Sequence, residues 1–138
     1  MPRAQGGARF VFVMQAATRV IAVDDQALFR AAARDVIRAT AGFELVAEAS
    51  SGPEAMDLFT RLEPDLVLMD VRMPGVDGIE TTRRLRALRP DAVVVLISLE
   101  DIEDMASAVE QCGAVAFVRK PDLSPRILAS LWAAHGAT

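Results

Sequence analysis

Short apolar runs rich in β-branched residues alternate along the chain with longer stretches in which apolar positions return every three or four residues. The runs cover 19–23, 45–49, 66–69, 93–97 and 114–118, and polar residues scarcely interrupt them. Each reads as a strand buried on both faces. Between them the period lengthens to that of a helix. The first helix is predicted over 26–40, with Leu28, Ala32, Val36 and Ala39 on its inner side and an end near Gly42. The second opens at Ser51, turns Ala55, Leu58, Phe59 and Leu62 inward, and stops at Pro64, where the ring cannot continue a helix. Three more are predicted over 78–88, 102–112 and 124–134.

Strict strand–helix alternation predicts an α/β fold with a parallel sheet covered on both faces. Five units in about 118 residues leave only short loops, so the economical architecture is a flavodoxin-like (βα)5 three-layer sandwich. Its strand order, 2-1-3-4-5, follows from the general rule for that class. With 52% apolar and 25% charged residues among 138, the chain suits one compact core. A net charge of −4 gives no basic stripe for nucleic acid, so DNA, if involved, is contacted by something else. The lone Cys112 has no disulfide or metal-ligand partner, which suits a reducing cytoplasm. No apolar run approaches the roughly 18 to 20 residues of a membrane span.

Residues 1–17 read as an N-terminal extension, expected to be disordered. They contain Arg3 and Arg9, no acidic residue, and a run from Phe10 to Met14 that is shorter than the apolar stretch of a signal peptide. A flexible leader, or a true start at Met14, is the expectation. The folded domain is placed over 18–136, and residues 135–138 suit the beginning of a linker.

The candidate chemistry lies at strand ends. The first strand runs into Asp24-Asp25 and the third into Asp70. In the expected order these strands are neighbours, so three carboxylates meet at one sheet edge. Like charges this close repel and push protons onto one another. A divalent cation relieves that conflict, and a ligand set of oxygen alone favours a hard ion such as magnesium. Either of Asp24 and Asp25 alone would read as a helix cap; Asp70 opposite them makes the difference. Ser98 ends the fourth strand, and Lys120 follows the fifth, just before Pro121. An aspartate attacking a phosphoryl group needs the charge on the equatorial oxygens balanced, and a metal, an ammonium and a hydroxyl do so.

Together, Asp24-Asp25, Asp70, Met73-Pro74-Gly75-Val76-Asp77-Gly78, Ser98 and Lys120-Pro121 resemble the signature of a bacterial response-regulator receiver domain, over about residues 19–135. The segments 23–30 and 48–52 resemble more narrowly the NarL/FixJ class, whose members usually join a receiver to a helix-turn-helix domain. The resemblance implies a two-component signalling switch rather than a classical enzyme. Asp70 would accept a phosphoryl group from a sensor histidine kinase, with magnesium-dependent self-phosphorylation and autodephosphorylation. Asp25, Asp70 and the backbone carbonyl of Arg72 would hold Mg2+, with Asp24 acting through water. Lys120 would pair with the phosphoryl group, and Ser98 and Phe117 would switch. The Lys120–Pro121 bond would be cis. Output would be transcriptional, through a DNA-binding domain absent from this chain.

Leu99 departs from the small residue usual beside such a pocket, and would obstruct a phosphodonor or the movement of Ser98. Arg72 and Glu100 should flank the site and pair across its entrance, slowing attack by water. Two other readings compete: a receiver-like interaction module without phosphate turnover, and a magnesium-dependent aspartyl-phosphate hydrolase of the haloacid dehalogenase type. On the last helix, Ile127, Leu128, Leu131 and Trp132 offer a candidate homodimer face.

Overall fold

The computed structural model describes residues 16–101 and 103–136, so the extension expected over 1–17 lies almost wholly outside the described residues. Five strands alternate with five helices: β1 Thr18–Val23, α1 Ala27–Ala39, β2 Phe43–Ala49, α2 Gly52–Leu62, β3 Leu66–Asp70, α3 Gly78–Leu88, β4 Val93–Ser98, α4 Ala106–Cys112, β5 Ala116–Arg119 and α5 Pro125–His135. All pairings are parallel, and the order is β2-β1-β3-β4-β5. The expected sandwich is the observed one.

Strand alternation divides the core in two. Ile21, Val23, Val67, Met69, Val94 and Leu96 face α2, α3 and α4, where Phe59, Ile79, Leu85 and Val109 meet them. Val20, Ala22, Leu66, Leu68, Val95 and Ile97 face α1 and α5, against Ala33, Ile37 and Leu128. Every residue of β3 and β4 is buried, which explains why both read as uninterrupted apolar runs.

Side chains close the helix starts. Ser51 accepts from Glu54 N–H, Asp77 from Glu80 N–H and Ser124 from Ile127 N–H, each satisfying an amide that no helical carbonyl reaches. Two helices differ: the cap residues Gln26 of α1 and Met105 of α4 make no side-chain cap bond. Asp24 and Asp25 are therefore not capping residues.

Several expectations need correcting. On α1, Leu28 is 76% exposed and Ala32 and Ala39 are exposed; the inner face is Ala33 and Ile37, with Phe29 and Val36 half-buried. A second apolar stripe one position along the sequence carries the bulkier side chains, and the larger burial decides which stripe turns inward. The helix expected over 102–112 is shorter: Glu103–Met105 forms a 3₁₀ turn, and α4 starts at Ala106 without a side-chain cap. The last strand starts at Ala116 instead of 114, after a single bond from Val115 N–H to the Val94 carbonyl. No cis peptide occurs among the described residues, so Lys120–Pro121 is trans, within a 3₁₀ turn Lys120–Asp122. On α5, Leu128 is wholly buried and Ile127, Leu131 and Trp132 pack on the core, so much of the surface read as a dimer face is covered within the chain. No helix among the described residues is long and apolar enough to cross a membrane.

Candidate functional site

Strand register gathers the polar strand ends. Val23 lies opposite Met69, Asp70 opposite Ile97, and Ser98 opposite Arg119. The next residues along, Asp24 and Lys120, therefore emerge beside Asp70 at the carboxyl edge of the sheet, where open α/β folds place their ligand sites.

The 71–78 segment closes tightly under that edge. Val71 N–H donates to the Ile97 carbonyl and Gly78 N–H to the Val71 carbonyl, each at 2.9 Å. A Cβ at Gly78 would collide with the Asp70 carbonyl oxygen and stand 3.0 Å from Met69 Cγ. Glycine is required there because α3 begins against the backbone that carries Asp70.

Asp24 and Asp70 are each only 2% exposed; Asp25 is half-buried. One carboxylate oxygen from each lies within 4.8 Å of the others. Lys120 Nζ is 2.7 Å from Asp24 Oδ2 and 3.4 Å from Asp70 Oδ1. Asp24 Oδ1 accepts from Gln26 N–H at 3.0 Å. Asp24 Oδ2, although at ion-pair distance from Lys120, has no partner with hydrogen-bond geometry. Burial, reinforced by the Asp24 charge, pushes the Asp70 carboxyl up to about 7, while Lys120 and the Arg72 N–H hold it down.

Three oxygen donors, one of them buried and unsatisfied, fit a hard divalent cation. One ammonium against three carboxylates leaves negative charge for such an ion to neutralise. Nitrogen and sulfur ligands play no part in the cluster.

A 140 Å³ pocket opens over Asp70, lined also by Gln26, Arg72, Ser98, Leu99, Glu100 and Lys120. All seven of its lining residues lie on a strand end or within three residues after one. Ser98 is buried, and its Oγ accepts from Glu100 N–H at 3.1 Å. Leu99 is 51% exposed at the rim. Arg72 Nε bonds Glu100 Oε1 at 2.8 Å, the expected pair, with both side chains largely exposed. Asp101 meets Arg119 at 3.3 Å, so the loop after β4 is tied from both sides. Phe117 is half-buried on β5 and packs toward α4, away from the pocket lining. A larger groove, 560 Å³, passes Met73, Ile79 and Met105, and of the site residues only Arg72 reaches it.

The sequence reading gave no role to Phe29, whose ring lies under Lys120 Nζ, or to Arg30, whose Nη1 donates to the Asp24 carbonyl at 2.7 Å. Spacing places both within the first turn of a helix that starts at the site, but gives no sign of the Phe29 contact with Lys120.

Residues 20–131 match the response regulator receiver domain family. Among curated relatives, the chain is 34% identical over 113 residues to the chemotaxis protein CheY of Thermotoga maritima, covering 82% of this chain and 93% of that protein. It is likewise 34% identical over 102 residues to the transcriptional regulatory protein DegU of Brevibacillus brevis, covering 74% of this chain and only 43% of the relative. A two-component response regulator of the LuxR family from Aurantimonas sp. SI85-9A1 superposes with a TM-score of 0.78 at 31% identity, covering 89% of this chain and 90% of that one.

Proposed function

The chain belongs to the response regulator receiver domain family, and on that premise we propose that Asp70 accepts a phosphoryl group from a phosphohistidine of a sensor histidine kinase. An Asp70 carboxylate oxygen attacks phosphorus, forming an O–P bond as the P–N bond breaks. The electron pair leaves with the imidazole, which takes a proton from solvent. The observation that carries this reading is the buried Asp70 beside Lys120 and two further carboxylates, under a pocket of 140 Å³.

Each neighbour has a part. Lys120 balances charge on the phosphoryl oxygens. Ser98, once released from Glu100 N–H, donates to the aspartyl phosphate, and Phe117 repacks with it. Asp25, Asp70 and the Arg72 carbonyl would hold Mg2+, with Asp24 acting through water, and the ion would supply positive charge to the phosphoryl oxygens. Arg72, Leu99 and Glu100 govern what reaches the acyl phosphate.

The phosphoryl group adds up to about two negative charges and biases a two-state domain. Transcription is the proposed output, through a DNA-binding domain outside this chain, with a homodimer as the proposed active form. Membership of this family sets aside the hydrolase alternative. A cytoplasmic location accords with the free, buried Cys112.

Incubation with magnesium and acetyl phosphate, followed by intact mass, tests the reading. One phosphoryl adduct on the wild type and none on Asp70→Asn is expected. Absence of an adduct on the wild type favours an interaction module that no longer turns over phosphate.

A further inference from the structure

Lys120 Nζ has a third neighbour besides its two carboxylates. It lies 4.0 Å from the centroid of the Phe29 ring, while its side chain is only 8% exposed. Phe29 belongs to the first turn of α1, which is fastened to the site: Phe29 N–H and Arg30 N–H both donate to the Gln26 carbonyl at 3.1 Å, and the Arg30 guanidinium holds the Asp24 carbonyl. A 60 Å³ cavity beside the ring is lined by Phe29 and Lys120 together with the apolar Ala33, Val36, Ile97 and Leu123. The lysine therefore has carboxylates on one side and apolar surface on the other.

The aromatic face has a particular merit at this position. It attracts an ammonium through its quadrupole, yet offers no lone pair of the kind that would compete with phosphoryl oxygens for the lysine's three donors. A carboxylate in its place would add a fourth negative charge to a site already rich in them. An aliphatic side chain would remove the ring's attraction and leave the ammonium to the pull of the two carboxylates, Asp24 at 2.7 Å and Asp70 at 3.4 Å.

We propose that Phe29 is a positioning residue for Lys120, its ring face holding the ammonium beside Asp70 ready for the incoming phosphoryl oxygens. This rests on the reading of Asp70 as phosphoacceptor. The role depends on the π-face and not on bulk, which separates it from ordinary packing.

The test compares Phe29→Leu and Phe29→Met, which keep apolar volume, with Phe29→Tyr, which keeps the ring. With acetyl phosphate and magnesium, the aliphatic variants should take up phosphoryl groups about five- to tenfold more slowly, the rate equivalent of a partly desolvated cation–π contact. Phe29→Tyr should stay within about twofold of wild type, and the aliphatic change should have no further effect in a Lys120→Ala background. Independently of activity, the Lys120 side-chain methylene resonances should show a ring-current shift that Leu and Met abolish and Tyr retains. Unchanged rates in both aliphatic variants, equal impairment by Tyr, or full additivity with Lys120→Ala overturns the inference alone. A wild type that takes up no phosphoryl group overturns the functional reading, and the positioning role with it.

Discussion

Lys120 lies closer to Asp24 than to Asp70, 2.7 Å against 3.4 Å, although Asp70 is the residue placed for chemistry. The nucleophile is thus left partly uncompensated in a buried setting, and its carboxyl is pushed up from 3.8 to about 7 by burial and by Asp24. Between those two values the unfolded chain has released the proton that the folded chain keeps. Stability therefore falls as pH rises through that window and stays low above it. Without divalent cations, Asp70→Asn should stabilise the chain by about 2 kcal/mol at pH 8, and the difference should vanish as pH falls toward 4. Urea denaturation of both proteins at the two pH values checks the sign.

Magnesium should change that comparison. It favours the wild-type carboxylates and stabilises by mass action whatever folded state binds it. Thermal melts should show a rise in the wild type with added Mg2+ and a much smaller one in Asp70→Asn. An equal rise in both would place the cation elsewhere.

Gly78 should tolerate no side chain. A Cβ there meets the Asp70 carbonyl carbon at 2.8 Å as well as its oxygen, and both atoms are backbone, so nothing flexible can move aside. Gly78→Ala should cost about 2 to 3 kcal/mol and also impair phosphoryl uptake, because the displaced backbone is the one that aims Asp70. Gly42→Ala serves as a comparison, since its added Cβ meets no atom within 4 Å and only its positive φ of 83° opposes the change.

The Arg72–Glu100 pair spans the pocket rim in the open, so breaking it should barely alter stability, by about 0 to 1 kcal/mol. Its effect should be on lifetime. Arg72→Ala and Glu100→Ala should each shorten the aspartyl-phosphate half-life about two- to fivefold by admitting water, a barrier change below about 1 kcal/mol. Decay of the phosphorylated protein after removal of donor measures this, and unchanged half-lives in both variants would sink the shielding role. Leu99→Ala, which trims a half-exposed rim residue, should speed uptake from acetyl phosphate without changing stability.

The sheet was legible because two of its three inner strands are buried on both faces, so β3 and β4 appear as unbroken apolar runs. The carboxylate cluster was legible for a related reason: strand order alone brings the ends of β1 and β3 together. The inner face of α1 was misread because two apolar stripes run along that helix, and period cannot choose between Leu28 and Phe29 when both are large. Tertiary burial chose Phe29. Its place under Lys120 joins positions 91 residues apart in the chain, a contact that spacing within one helix does not reveal.

The most direct test of the whole account is to map the modified residue. After incubation with magnesium and acetyl phosphate, borohydride reduction converts an aspartyl phosphate to homoserine, which peptide mass spectrometry locates. Homoserine at position 70 alone, dependent on magnesium and absent from Asp70→Asn, is the expected result. Homoserine at position 24 or 25, or labelling of Asp70→Asn to the wild-type level, would contradict it.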